Sequence, residues 1–350
     1  MIISSNQIHA RRLARAWSQA DLAERVGISR AAVSAIEGER LSPSVATALA
    51  LAEVFECSVE ELFGPARTSE LGGPQWAWTP RNKSSRYWEA EVGQRRLLYP
   101  VEAMSPNLIP HDGIWEDGIC RERTSVSPEM TLSVATCDPA AGLLAAEYTR
   151  ATGFRLLVFP RSGSRALELL EQRLVHVAAL HRSTGKHPQR NAETVRERLG
   201  RGFHLLRVAE WEEGVALPAE NSSRTATSVA RRTQCWAGRE LGSGARECLD
   251  ELLEGRRFAG REVGGHAAVA EAVRSGWAGA GVCVRLSAEE AGLHFLPVRT
   301  ESLDFCFSTR MQRDPRVQAL VRLLRSRGYR RLMSELPGYE ARQTGQMIPV

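Results

Sequence analysis

Two short serine–glycine runs carry the clearest chemistry in this sequence, Ser162-Gly163-Ser164 and Gly242-Ser243-Gly244. Each follows an apolar stretch and leads into a helical pattern, near Ser164 in the first case and over 245–254 in the second. A glycine-rich turn at the start of a helix presents unpaired backbone N–H groups at the positive end of the helix dipole, which suits an anion. The serine hydroxyls add neutral donors. Arg246, Arg239 and Arg165 lie close enough in sequence to add charge-assisted bonds. His181 ends one apolar run and His266 opens a helix over 266–275, so both can point into the same cleft. Asp138 stands at an earlier strand-to-helix junction, where the carboxyl ends of parallel strands gather ligands. A carboxylate there accepts from an amine or hydroxyl, which argues against a simple oxyanion. Ordinary turn chemistry also produces such serine–glycine runs, and Arg239 and Arg246 suit surface ion pairs equally well. His176, Trp211, Trp236 and Trp277 read as packing residues.

The elements that must position these residues follow from hydrophobic periodicity. TLSVAT at 131–136 precedes an amphipathic stretch over 140–151, FRLLVF at 154–159 precedes a helix over 164–173, and LVHVAAL occupies 174–180. Strands alternating with helices imply a parallel α/β sheet. Two stretches, 65–75 and 116–130, are rich in Gly, Pro, Ser and charge and read as linkers. Between them, WAW at 76–78 and β-prone runs at 86–92 and 96–101 predict a small sheet or hairpin.

The N-terminal region is compact and helical. In QADLAERVGISRAAVSAIE at 19–37, Ala23 must be small where a second helix crosses, and Gly27 permits the positive φ of a tight turn. Leu22, Val26, Ile28, Val33 and Ile36 fill the wedge between the two helices. Ser18 can cap the first helix with Asp21 reaching back, and Ser29 can cap the second. Ser42-Pro43 opens a further helix over 43–56, and Ser58 with Glu61 starts a short last one. The stretch resembles the helix-turn-helix of the phage-repressor/Xre family over nearly all of residues 5–64. The resemblance implies that the second helix enters the major groove and makes Ser29, Arg30, Ala31 and Ser34 the base-edge candidates. Arg30 would take guanine O6 and N7 bidentately, while Gln19 and Arg40 would contact the phosphate backbone. Ala31 and Ala35 stand where polar readers often occur, so base readout is thin and dimerisation supplies affinity.

From 131 to 340 the chain resembles the periplasmic-binding-protein-like domain of molybdate-binding proteins and related cytoplasmic regulators. The matching pieces include FRLLVFPRSGSRAL (154–167), GRELGSGARECLDELL (238–253) and GGHAAVAEAVRSGWAGAGVCV (264–284). The resemblance implies a two-lobed, type II domain that closes on a ligand like a hinged clamp. The chain is expected to cross between lobes near 212–220 and 296–306, giving lobes 131–212 with 307–340, and 218–296. The implied ligand contacts are Asp138, Ser162, Gly163, Ser164, His181, Arg239, Ser243, Gly244, Arg246 and His266. Molybdate-transport proteins use serines and backbone amides with few charges, whereas this set carries an aspartate, histidines and arginines.

Composition bounds the rest. The 350 residues allow two or three domains, and 43% hydrophobic with 25% charged residues is a globular composition. The net charge of +5 suits a polyanionic partner, yet residues 1–64 hold six arginines against eight acids, so local placement matters more than bulk charge. Lys83 and Lys186, the only lysines, lie in no Schiff-base setting, which excludes pyridoxal-phosphate chemistry. The seven cysteines form no CxxC pair and read as reduced thiols, with no disulfide framework or zinc site expected. No nucleophile elbow or metal pair is evident, and STGK at 183–186 lacks the upstream glycine of a phosphate loop, so no enzyme is expected. With no signal peptide or membrane-length apolar run in the sequence, a soluble cytoplasmic protein is expected. The expected fold is multidomain: an all-α helix-turn-helix bundle at 1–64, a β-rich connector at 65–130 and an α/β two-lobed domain at 131–350. The expected function is a ligand-responsive transcription regulator. Its partners would be a double-stranded DNA operator, a small polar or oxyanion ligand and a second copy in a homodimer, with no cofactor, no metal and no membrane. The alternatives are a DNA-binding scaffold or antitoxin-like protein whose C-terminal domain binds protein and, last, a hydrolytic or transferase enzyme.

Overall fold

A computed structural model of the chain describes residues 8–63 except 16, 39, 56 and 58, residues 74–102 except 81 and 83, and residues 110–116, 119–123 and 126–350. Contacts divide it into two units, residues 1–131 with 148–155, and residues 132–147 with 156–350.

The first unit opens with helices α1 (Ile8–Ala14), α2 (Gln19–Val26), α3 (Arg30–Glu37), α4 (Val45–Val54) and α5 (Val59–Phe63). Local chemistry sets their ends. Ser18 and Asp21 form a reciprocal capping box on α2, Gly27 terminates it at φ 75°, and the Ser29 hydroxyl caps α3. Leu22, Ala23, Val33 and Ile36 are buried between α2 and α3, with Val26 and Ile28 packed against them. The start expected at Ser42-Pro43 is corrected: Ser44 is the N-cap of α4, because its hydroxyl is the one that reaches the Thr47 amide, at 3.2 Å. The expected Ser58 cap and most of the 65–75 linker lie outside the described residues.

Glu37 ties three helices together. Its carboxylate accepts from Arg12 Nε at 2.6 Å and Nη2 at 3.1 Å, and from Gln19 Nε2 at 2.9 Å. Burial alone would raise this carboxyl, but the Arg12 and Gln19 bonds outweigh it and hold it below its ordinary value. A lowered carboxylate stabilises the fold above its unfolded titration and loses that contribution as pH falls through the folded value. Glu37→Gln is therefore expected to lower the stability of the helical region by about 1–3 kcal/mol near neutral pH. Thermal unfolding of the variant against the parent should show the gap narrowing between about pH 7 and about pH 3.

The same unit contains β1 (Gln75–Trp76), β2 (Ser85–Val92), β3 (Arg95–Pro100), β4 (Gly113–Glu116) and β5 (Ile119–Glu122), in the sheet order β1-β3-β2-β4-β5. Gly93 and Gln94, at φ 57° and 67°, make the tight β2–β3 turn with the twist that joins antiparallel strands. Tyr87, Ala90, Leu97, Leu98 and Tyr99 are buried in this sheet. The stretch 116–130 is not wholly a linker: Ile119–Glu122 extends the sheet by pairing with β4, and Pro128–Met130 forms a 3-10 turn.

The second unit is the α/β one. Its elements, three of which begin or end in the first unit, are β6 (Thr131–Thr136), α6 (Ala141–Thr152), β7 (Arg155–Pro160), α7 (Gly163–Glu171), β8 (Val177–Thr184), α8 (Arg190–Leu199) and β9 (Phe203–Leu217). Then follow α9 (Ala226–Arg232), β10 (Trp236–Gly238), α10 (Gly244–Leu253), β11 (Gly260–Glu262), α11 (His266–Arg274), β12 (Ala280–Val284), α12 (Arg285–Glu290) and β13 (His294–Ser308). The chain closes with α13 (Pro315–Arg325), α14 (Arg327–Ser334), β14 (Tyr339–Glu340) and β15 (Met347–Pro349). The sheet order is β11-β10-β12-β9-β13-β8-β6-β7. Strands β6 and β8 are parallel, as are β10, β11 and β12, so each lobe has a parallel sheet backed by helices.

The long strands β9 and β13 join the lobes. They pair antiparallel from His294↔Leu217 to Ser308↔Phe203. β12 attaches to β9 only from Glu213 to Ala216, and β8 attaches to β13 from Glu301 to Cys306. The chain therefore passes from one lobe to the other around Glu213 and Arg299, where β13 also shifts register. His181 is corrected from a strand end to a position inside β8. His176 is buried, its Nδ1 accepting from the Ser133 amide at 3.0 Å. Trp211 and Trp236 are fully buried, but Trp277 is not a packing residue: it follows Gly276, at φ 73°, in the turn after α11 and is 70% exposed. No helix among the described residues is long and apolar enough to cross a membrane.

Candidate functional site

The serine–glycine turns of the two lobes meet. Ser164 Oγ, in the first turn of α7, donates to the Gly242 carbonyl at 2.6 Å, just ahead of α10. Arg182 Nη2 donates to the same carbonyl at 3.0 Å and pairs with Glu247 of α10 at 2.7 Å. Gly244 lies so close to His181 that a Cβ on it would sit 2.5 Å from the ring Cε1, and only glycine allows that approach. The rings of His181 and His266 are 5.9 Å apart between centroids. Helices α7, α10 and α11 thus bring their N-terminal ends, the positive ends of their dipoles, around His181. Ser162, Ser243 and His266 are all buried there. Ser162 makes no cap bond at α7, whereas Ser243 caps α10 through the Arg246 amide.

Behind His181 lies a charged cluster on the two crossing strands. His181 Nδ1 is 2.6 Å from Glu301 Oε2, which also accepts from Trp211 Nε1 at 3.2 Å. Arg299 Nε donates to Glu301 Oε1 at 2.7 Å, and Nη2 lies 3.0 Å from the Gly244 carbonyl and 3.3 Å from Glu213. Burial opposes the charge on His181, but Cys137 and the Glu301 carboxylate raise it well above its ordinary value. Burial would likewise raise Glu301, yet His181 and Arg299 hold it well below the usual carboxylate range. Glu213 is pushed up, by burial and by the neighbouring Glu301 charge. These directions concentrate the negative charge on Glu301, between His181 and Arg299, and disfavour it on Glu213. Burial first, then the charges of Arg239 and His181, push His266 well down.

In the helical region, Ser29, Arg30 and Ala31 are exposed at the first turn of α3 and Ser34 is half-buried one turn on. Arg40 lies against that turn, its Nη2 at 3.4 Å from the Ser34 hydroxyl. Gln19 is half-buried, its amide held by Glu37.

Residues 145–325, more than half of the chain, match the model of the PBP superfamily domain. The chain belongs to the PBP superfamily. Residues 8–62 match the helix-turn-helix model, so a helix-turn-helix precedes the PBP superfamily domain. The uncharacterized protein YvgK of Bacillus subtilis (strain 168) is 29% identical over 182 residues, which are 49% of this chain and 58% of that protein. The chain thus spans under two thirds of that relative's length. Among solved structures, a reduced form of OxyR from N. meningitidis resembles it at a TM-score of 0.43 with 11% identity, over 60% of this chain and 98% of that one. The arginine-, lysine-, histidine-binding protein ArtJ from Geobacillus stearothermophilus does so at 0.43 with 12% identity, over 59% and 95%. No ligand transfers at such scores.

Within the α/β unit the remaining expected residues divide. Gly163 packs closely on Leu180, its missing Cβ only 3.5 Å from that backbone. Asp138 Oδ1 accepts from the Ala140 amide at 2.9 Å and the Tyr339 hydroxyl at 2.6 Å, and burial pushes its carboxyl up. Arg246 is drawn into structure: it pairs with Asp250 and Glu262 and lies over the Phe258 ring at 4.4 Å. Arg239 pairs with its neighbour Glu240, and Arg165 pairs with Glu168 on the surface. The sequence expectation missed Cys137, Trp211, Glu213, Arg299, Glu301 and Tyr339. Strand alternation offered one clue, since Trp211, Glu213 and Val215 share a face and a lone glutamate among apolar residues is notable.

Proposed function

We propose that this chain is a ligand-responsive transcription regulator, in which the helix-turn-helix binds an operator and the PBP superfamily domain closes on a small polar or anionic ligand. The observation that carries this reading is the meeting of helix N-termini from both lobes around His181, through Ser164 on Gly242 and Gly244 against the imidazole. Amide dipoles, the Ser162 hydroxyl and a cationic His181 suit a compact anion, such as a molybdate-like oxyanion or an acidic metabolite, with Ser164 joining only if it releases the Gly242 carbonyl. Ser29, Arg30, Ala31 and Ser34 read bases, and Gln19 and Arg40 hold the backbone. The active species is a homodimer, so closure alters the spacing of two helix-turn-helix units. A differential affinity of about 100-fold between open and closed forms supplies about 2.7 kcal/mol of coupling, enough for regulation.

Thermal unfolding of the full chain with molybdate, tungstate, sulfate, phosphate and amino acids tests the reading. A ligand at about 100 times its Kd should stabilise the second transition by about 2.7 kcal/mol. Gly244→Ala, which puts a methyl into the His181 ring, should abolish that shift. Absence of any ligand shift, with a second polypeptide forming a stable complex instead, would favour the scaffold alternative.

A further inference from the structure

Cys137, His181 and His266 come together from separate parts of the chain. Cys137 follows β6, His181 lies in β8 and His266 opens α11 in the other lobe, and their potential ligand atoms all lie within 4.8 Å of one another. Three features distinguish this group from ordinary core packing. His266 is 1% exposed, and neither ring nitrogen has a hydrogen-bond partner. Leaving both nitrogens of a buried imidazole unmatched is costly, and such groups are rare unless something binds them. His181 is oriented by a carboxylate, its Nδ1 on Glu301 at 2.6 Å, and Glu301 is held in turn by Trp211 and Arg299. That is the outer-shell arrangement of metal-bound histidines, and a metal at Nε2 would displace the proton that otherwise makes His181 cationic. Finally, Cys137 is half-buried and free, which supplies a sulfur ligand.

We infer that Cys137, His181 and His266 form a site for a zinc-class transition-metal ion. One sulfur and two imidazole nitrogens match the donor preference of zinc, whose bonds of about 2.0–2.3 Å put tetrahedral ligands under about 4 Å apart. The present set, within 4.8 Å, would have to contract by about 1 Å on binding. Glu213 and Glu301 also lie near His181, but Arg299 already bonds both carboxyl groups, and Glu301 serves to orient His181. Three protein ligands leave a fourth position for water or an exogenous oxygen. Because Cys137 and His181 belong to one lobe and His266 to the other, the ion also ties the lobes together. The site departs from the sequence expectation of no metal. The site shares His181 with the ligand reading above but does not depend on an anion.

The test uses the full chain stripped with a chelator under reducing conditions and titrated with Co(II) and Zn(II), without DNA or added oxyanion. One equivalent of Co(II) should bind with a sulfur-to-metal charge-transfer band and tetrahedral visible bands, both displaced by Zn(II). Cys137→Ser should remove the charge-transfer band, and His266→Ala should weaken binding at least as much as the roughly 10- to 100-fold expected when an outer-shell partner is lost. His266→Ala removes an unsatisfied buried ring, so its fold should survive, and far-UV circular dichroism checks this. Cys235→Ser, at an exposed thiol, should leave the spectrum unchanged. No stoichiometric binding, or a charge-transfer band that persists in Cys137→Ser, overturns the site. Oxyanion-induced stabilisation of the metal-free chain is read separately, so either idea can fail alone.

Discussion

Glu301→Ala is expected to destabilise the PBP superfamily domain by about 3–5 kcal/mol, because it leaves buried cations without their anion. His181 and Arg299 both bond this carboxylate, which is 1% exposed. For a domain of this size the loss corresponds to a fall of roughly 10 °C in the second transition. Glu213→Gln is the informative contrast. Burial and the Glu301 charge push the Glu213 carboxyl up, so a neutral amide of the same shape should change stability by less than about 1 kcal/mol. Calorimetry of both variants measures the difference. Equal losses would mean that the charge is shared between the two glutamates and not held on Glu301.

Arg30→Ala is expected to weaken specific operator binding by about 1–3 kcal/mol, or roughly 5- to 150-fold, while leaving the helical region folded. Arg30 is exposed at the first turn of α3, where a recognition helix meets base edges, so its loss removes no core contact. Footprinting or anisotropy with a selected operator measures the loss. Unchanged specific binding would move the reading face elsewhere on the domain.

The helical region was legible because its signals are local. Ser18, Asp21, Gly27 and Ser29 act within a few residues of themselves, and the apolar wedge repeats at helical spacing. The one misplaced boundary, Ser44 for Ser42, arose where two serines flank a proline and either could cap the helix. The α/β alternation and the two serine–glycine turns were legible for the same reason. Arg246 shows the limit: its position beside a glycine turn suggested a ligand, but Asp250, Glu262 and the Phe258 ring compete for it.

His181, a candidate from the start, could not be given its partner, since Glu301 lies 120 residues away. Cys137 and His266 could not be related to each other at all.

The sequence by itself determined the two kinds of unit, the caps and turns that begin their helices, and the amides those turns offer. Capping, periodicity and backbone freedom act over a turn or two of chain. Only the tertiary structure decided which turns face each other and where buried charge collects. Those outcomes depend on the register of β8 against β13 and of β9 against β12, set by long-range pairing along two crossing strands.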